Sequence, residues 1–449
     1  MTLDSGAARV VVIVMLFCAA AAGCAGSSPA RPAGSRSPGA PVGTVSRRLP
    51  ACTTAAQAGP ELPDSAIAMT TVAPLPPGGA PPGPFGVAVT AAGNWGFATS
   101  LPVTIRVRSS RVVTGSSPSP SLSPSASGGG KSGVDVLRLV PGHAPAVVHT
   151  IAVPGLGAGA ALSPNGRLLV VANGAGATVI SVAAAEQGSK HAVLGSLVPP
   201  GGGTSSGAVE VAITPDDRYA FISLENAAEI AVFNLDKAMA AGFRAGAGYI
   251  GAINAGFGPV GMAVSPDGRW LYATSLSENG ASQVATVGLL SVISVAKAES
   301  DPAESVVTTV PAGCTPVRVI TSANGSVVWV TAQGSDALLA FSAARLPTDS
   351  AHALLAAVQV GEAPVDLALA RAGTLIVVSD SDRYGAGLPP GNLAVVDVAD
   401  ALARRPAFLG YLAAGRFPRD VAASGSGSLL LVANYASGQV EAVNAVGLP

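Results

Sequence analysis

The sequence predicts an all-β chain built from seven copies of one four-stranded unit, and three observations carry that prediction. A four-residue turn recurs seven times between a short apolar strand and a longer one. It reads TAAG at Thr90, SPNG at Ser163, TPDD at Thr214, SPDG at Ser265, SANG at Ser322, ARAG at Ala370 and SGSG at Ser424. Successive turns lie 73, 51, 51, 57, 48 and 54 residues apart, and the first interval falls to 48 once a 25-residue insertion at 109–133 is set aside. Gly 55 and Pro 36, with 49% hydrophobic residues that are mostly Ala, Val and Leu, suit many short strands joined by tight turns. A period near 50 residues with four strands in each unit is the mark of a β-propeller, whose radial repetition leaves only short sheet edges.

Taken from the N-terminus, the chain opens with Arg9 and an apolar core from Val10 to Ala22, too short to span a bilayer but of signal-peptide length. The core runs into Ala21-Ala22-Gly23-Cys24, which resembles a bacterial lipobox and implies a leader over 1–23 with acylation of Cys24. Residues 24–60 are rich in Ser, Pro, Gly and Ala and cannot bury a core, so a disordered tether is expected there. The propeller is expected over 61–449, with 109–133 as a disordered insertion in its first blade. Cys18 leaves with the leader, so Cys52 and Cys314 are the remaining thiols. In an oxidising compartment they could pair and tie the tether to the body.

Each turn is followed by an apolar run such as RLLVVAN, RYAFISL, RWLYATS or SVVWVTA, then by a second such as ATVISV or EIAVFNL, and last by an outer strand such as VVTTVPAG. The final unit stops at Val443-Asn444 without an outer strand. The isolated segment Ala66 to Val72 is therefore expected to supply it and close a seven-bladed ring of four-stranded antiparallel blades. The phrases LVVAN, LYATS and VWVTA resemble the Tyr-Val-Thr-Asn signature, and the frame over roughly 62–449 resembles the YVTN-repeat propellers of the lactonase and cytochrome-d1-like superfamily. That resemblance implies the fold. It leaves function open, because the family includes binding modules, surface proteins and enzymes.

A net charge of −1 with 11% charged residues provides no basic field for nucleic acid, and none is expected as a partner. Aligning the units on their turns gives one position per blade at the start of the innermost strand: Gly86, Gly159, Glu210, Gly261, Arg318, Asp366 and Asp420. Arg419 adds a cation beside the last. Carboxylates and guanidinium groups at a channel mouth could bind a polar ligand, or could pair with each other and staple the blades. A second series ends the second strand: Ser100, Asn173, Leu224, Ser275, Ala332, Asp380 and Asn434. Asn and Asp there suit turns. Asp380 and Asp382 have a D-x-D spacing that could offer oxygens to calcium, but lack the later glutamate. The four histidines, His143, His149, His191 and His352, miss both series, so no haem ligand and no cofactor is expected.

These features favour a monomeric, lipid-anchored propeller on the outer face of the cell membrane. Its expected role is to bind or scaffold a protein or cell-envelope ligand. The alternative is a lactonase-like hydrolase working through Glu210, Arg318 and Asp366.

Overall fold

The computed structural model describes residues 42–52, 55–63, 67–71, 83–101, 132–278, 280, 286–383 and 389–449. Cys24, the leader, most of the tether and most of the 109–133 insertion lie outside these residues. The described chain forms seven antiparallel sheets in sequence order: blade 1 over 83–152, blade 2 over 160–197, blade 3 over 208–254, blade 4 over 257–314, blade 5 over 316–359, blade 6 over 364–416 and blade 7 over 418–444. The innermost strand of each blade packs against those of both neighbours, and blade 7 meets blade 1, so the ring is closed.

Closure follows the expected route. Ile67–Thr71 is the fourth strand of blade 7 and pairs antiparallel with Gln439–Asn444, Ile67 facing Val443 and Thr71 facing Gln439. The two ends of the domain thus share one sheet, and the main-chain groups of Gln439–Asn444 find partners there.

Most of the recurring turns work through their hydroxyl and a nearby Asp or Asn. In blade 4 the Ser265 hydroxyl donates to Asp267 at 2.5 Å and accepts from the Trp270 amide at 3.0 Å, while Gly268 takes a positive φ of 71°. Blade 6 has no hydroxyl in its Ala-Arg-Ala-Gly turn, and Arg371 and Ala372 both adopt positive φ, at 47° and 53°. There the Arg371 amide instead bonds the Gly427 carbonyl of blade 7.

Apolar side chains fill the wedges between neighbouring sheets. Val330 and Leu339 of blade 5, for example, pack with Leu290 and Val292 of blade 4, and all four are fully buried. Burial on both faces of each sheet explains why the strands read as continuous apolar runs rather than as an alternation.

One boundary differs from the sequence reading. Within the expected tether of 24–60, residues 42–52 and 55–60 are docked on the propeller. Val42 exchanges backbone bonds with Phe408 on blade 6, and Val45–Ser46 adds a fifth strand to blade 5 opposite Val358 and Ala357. Cys52 then reaches blade 4 as a disulfide with Cys314, their Cα atoms 5.4 Å apart. The chain returns over blade 6, where Leu62 donates to the Tyr411 carbonyl and the Tyr411 hydroxyl donates to the carbonyl of Gln57. Backbone pairing along outer strands holds this strap, which is why its sequence, without a long apolar run, gave no sign of it.

The disulfide closes a loop with a sequence separation of 262. Cys52→Ser is expected to lower unfolding stability by about 2–5 kcal/mol in urea titration. The loss should vanish when both proteins are compared in reductant. Equal midpoints under oxidising conditions would show that the strap is held by its backbone pairing alone.

Candidate functional site

The charged positions at the start of the inner strands occupy β-bulges. The pairing of the first two strands slips between Ala208 and Glu210, Pro316 and Val319, Pro364 and Asp366, and Pro418 and Asp420. A bulge leaves one residue out of the ladder and re-aims its side chain. In blades 5 and 6 a hydroxyl of the second strand takes up the freed amide: Thr331 accepts from the Arg318 amide and Ser379 from the Asp366 amide, each at 3.0 Å. The Thr331 hydroxyl also donates to the Val365 carbonyl of the next blade at 2.9 Å.

Where the same position is glycine, there is no room for a side chain. A Cβ on Gly261 would lie 2.2 Å from the Val317 carbonyl oxygen, and one on Gly159 would lie 2.6 Å from that of Val209. The charge is therefore confined to blades 3, 5, 6 and 7.

All five predicted channel-mouth residues gather at that end of the ring. Arg318 pairs with Glu210 across blade 4 at 2.9 Å, their side chains 8% and 13% exposed, and its second nitrogen donates to the Val260 carbonyl. Burial works against the charge on Arg318, but Glu210, Asp366 and Asp420 around it raise its pKa. Burial outweighs Arg318 at Glu210 and raises that carboxyl. Asp366 accepts the amides of Leu367 and Val421, both at 2.8 Å, so its two oxygens are engaged by donors. Asp420 hydrogen-bonds Asp366, and burial together with Asp366 pushes it well above the carboxylate range.

Arg419 stacks on Phe85, its guanidinium carbon 3.5 Å from the ring centroid. It makes no salt bridge among the described residues, and its buried Nε has no hydrogen-bond partner. Burial first, then Arg318 and Arg383, pulls its pKa down to about 10. Phe85, Phe417 and Tyr435 form edge-to-face pairs around it, with centroids 6.1 and 5.5 Å apart.

Four further residues complete the mouth and were not picked out by sequence reasoning: Glu225, Gln333, Arg383 and Tyr435. All lie in loops leaving the second strand, just past the second aligned series. Arg383 donates to the Gln333 side-chain oxygen and lies over Phe417. Glu225 faces Arg419, Arg318 and Arg383, yet burial pushes its carboxyl up to about 7. Their only shared signal was position, one to three residues after each second strand.

The second series is mixed. Asn173 plays the expected turn role, accepting from the amides of Ala175 and Gly176. Asn434 instead donates to the wholly buried Glu441 at 2.8 Å. Asp380 is buried against the Gly361 backbone, and Asp382 bonds Glu362. Among the described residues no three His, Cys, Asp or Glu side chains form a group able to hold a metal ion.

The Glu210–Arg318 pair gives a direct test. Arg318→Ala leaves a buried carboxylate without its partner and is expected to cost about 3–5 kcal/mol in chemical unfolding. Combining it with Glu210→Gln should restore a large part of that loss. An additive double variant would show that the two charges do not interact.

A comparison with curated proteins finds no match in sequence. Among solved structures, a chain of hydrazine synthase from Kuenenia stuttgartiensis is similar, with 14% identity and a TM-score of 0.57 over 81% of this chain and 96% of that one. At that identity the likeness concerns the fold. The family model described as lactonase, 7-bladed beta-propeller matches residues 152–384, which span blades 2 to 5 and reach into blade 6, and on that match the chain belongs to this family.

Proposed function

We propose that the protein is a ligand-binding propeller, exported and held on the outer membrane face by lipid on Cys24, and that its channel mouth takes a small anion. The observation that carries this reading is Arg419, a guanidinium stacked on Phe85 and surrounded by aromatic rings, with no salt bridge among the described residues. A stacked guanidinium is pre-organised, so its fork can meet a carboxylate at low entropic cost. Other groups around it have partners of their own: Arg318 pairs with Glu210, Asp366 accepts the amides of Leu367 and Val421, and Arg383 donates to Gln333. They hold the blades in place around Arg419.

A lactonase-like hydrolase is the second reading, and Glu225 favours it. A carboxyl raised to about 7 suits a general base that activates water, and Arg419 could stabilise the oxygen of an opening lactone. The family name points the same way.

Thermal unfolding with benzoate, acetate and gluconate tests the first reading. An anion at 100 times its dissociation constant should add about 2.7 kcal/mol, and Arg419→Ala should abolish the gain. No shift with any of the three, or a shift that survives Arg419→Ala, would overturn it. Hydrolysis of gluconolactone or γ-butyrolactone, reduced about 100-fold or more by Glu225→Gln with the fold intact, would establish the second reading. For the anchor, Cys24→Ser should move the protein from the membrane to the soluble fraction, and unchanged fractionation would exclude lipidation at that residue.

A further inference from the structure

The corners that lead into blades 5, 6 and 7 share one construction. Thr315, Ala363 and Phe417 each stand just before an inner strand and take a positive φ, at 50°, 53° and 52°. Their carbonyls accept the amides of Gln333, Ser381 and Tyr435, the first residues after the second strands of those blades, at 3.1, 3.2 and 2.9 Å. The backbone thus fixes these three residues at one level of the mouth, where the Gln333 side chain meets Arg383. Ser381 is short enough to turn back, and its hydroxyl donates to the Ala363 carbonyl at 2.8 Å. Tyr435 is too long for that.

Tyr435 is 7% exposed, and its ring joins an aromatic group. It meets Phe85 and Phe417 edge to face, with centroids 6.1 and 5.5 Å away. Gly83 lies so close that a Cβ there would be 2.7 Å from the ring. The Arg419 guanidinium lies against the same two phenylalanines, 3.5 Å from the Phe85 centroid and 5.9 Å from that of Phe417. Among the described residues the Tyr435 hydroxyl makes no hydrogen bond. Every one of these packing contacts is made by the ring, which a phenylalanine would supply as well. The hydroxyl serves none of them, and a donor so confined is costly to leave without an acceptor.

We infer that Tyr435 is the second donor of the anion site, its hydroxyl giving one hydrogen bond to the carboxylate that Arg419 holds. The inference rests on the anion-binding reading above and adds the residue that orients the anion. A carboxylate has about four lone-pair sites, so the guanidinium fork can occupy two and leave others for a hydroxyl. Burial, only partly offset by Arg419, pushes the Tyr435 ionisation up, so the phenol keeps its proton at neutral pH. It therefore adds a donor to the site without adding a charge.

Titration calorimetry of benzoate, acetate and gluconate into the whole protein reads this donor. Tyr435→Phe keeps the ring and should leave the melting temperature of the free protein unchanged. It should weaken each anion that binds about 10- to 100-fold, the range for a hydrogen bond to a charged group. In wild-type protein carrying carbon-13 at tyrosine Cζ, saturating acetate or gluconate, which bring no ring of their own, should move the resonance that Tyr435→Phe removes.

Equal affinities of wild type and Tyr435→Phe would overturn the inference and leave the anion site standing. Failure of all three anions to bind would remove the anion site and this inference together. If Tyr435→Phe does not fold, the wild-type spectrum decides: one moved resonance supports the donor, and six unmoved tyrosine resonances at saturation overturn it.

Discussion

At three junctions of the ring a threonine hydroxyl belongs to two blades at once. Thr99, Thr274 and Thr331 each accept the amide freed by a bulge in their own inner strand and donate to a carbonyl of the next blade, at 2.6, 2.7 and 2.9 Å. Without that acceptor the bulge would bury an unpaired N–H, which costs about 1–3 kcal/mol. With it, the inner strand can bend away from its ladder, aim one residue at the axis and lock to its neighbour. In blades 1, 4 and 5 the threonine of the repeat signature thus has a geometric reason: one oxygen serves as acceptor and donor at once, whereas blades 2 and 7 close with Ala172 and Ala433 at that position.

Everything at the mouth follows from that bend. Where the next blade's carbonyl comes close, the aimed residue must be glycine, as at Gly261. Where it stands off, a long charged side chain fits, and the cost of burying it is met by a partner from another blade. Glu210 and Arg318 meet across blade 4, and Asp366 reaches the backbone of blade 7 through the Val421 amide. Arg419 is the exception, since aromatic faces rather than a carboxylate surround it. In a chain with 11% charged residues, a guanidinium kept in such a place without an ion pair is a cost to stability that a ligand can repay.

The repeat made the architecture legible, down to the strand that closes blade 7, because a fixed period aligns equivalent residues without any knowledge of contacts. The same alignment located Glu210, Arg318, Asp366 and Asp420, which occupy one position in every unit. It did not single out Glu225, Gln333, Arg383 or Tyr435, which follow the second series by one to three residues but share no residue type that would mark them. Nor could composition reveal the docked strap. Val42, Val45 and Leu62 bring some apolar packing, but the Val45–Ser46 strand and the bonds of Gln57, Pro60 and Leu62 run through the backbone, which every sequence carries alike.

The closing strand also sets the order in which this protein can be made. Ile67–Thr71 is among the first parts of the body to emerge during synthesis, yet its partner, Gln439–Asn444, is the last. Cys52 likewise precedes Cys314 by 262 residues. Blades can form one by one as they appear, but the strap has no outer strand to lie on until blades 5 and 6 exist. Contacts of such long range make folding slow and leave edges open in the meantime. The newborn chain must therefore wait in an incomplete ring, and a copy interrupted before blade 7 would remain open at the seam where its own beginning was meant to dock.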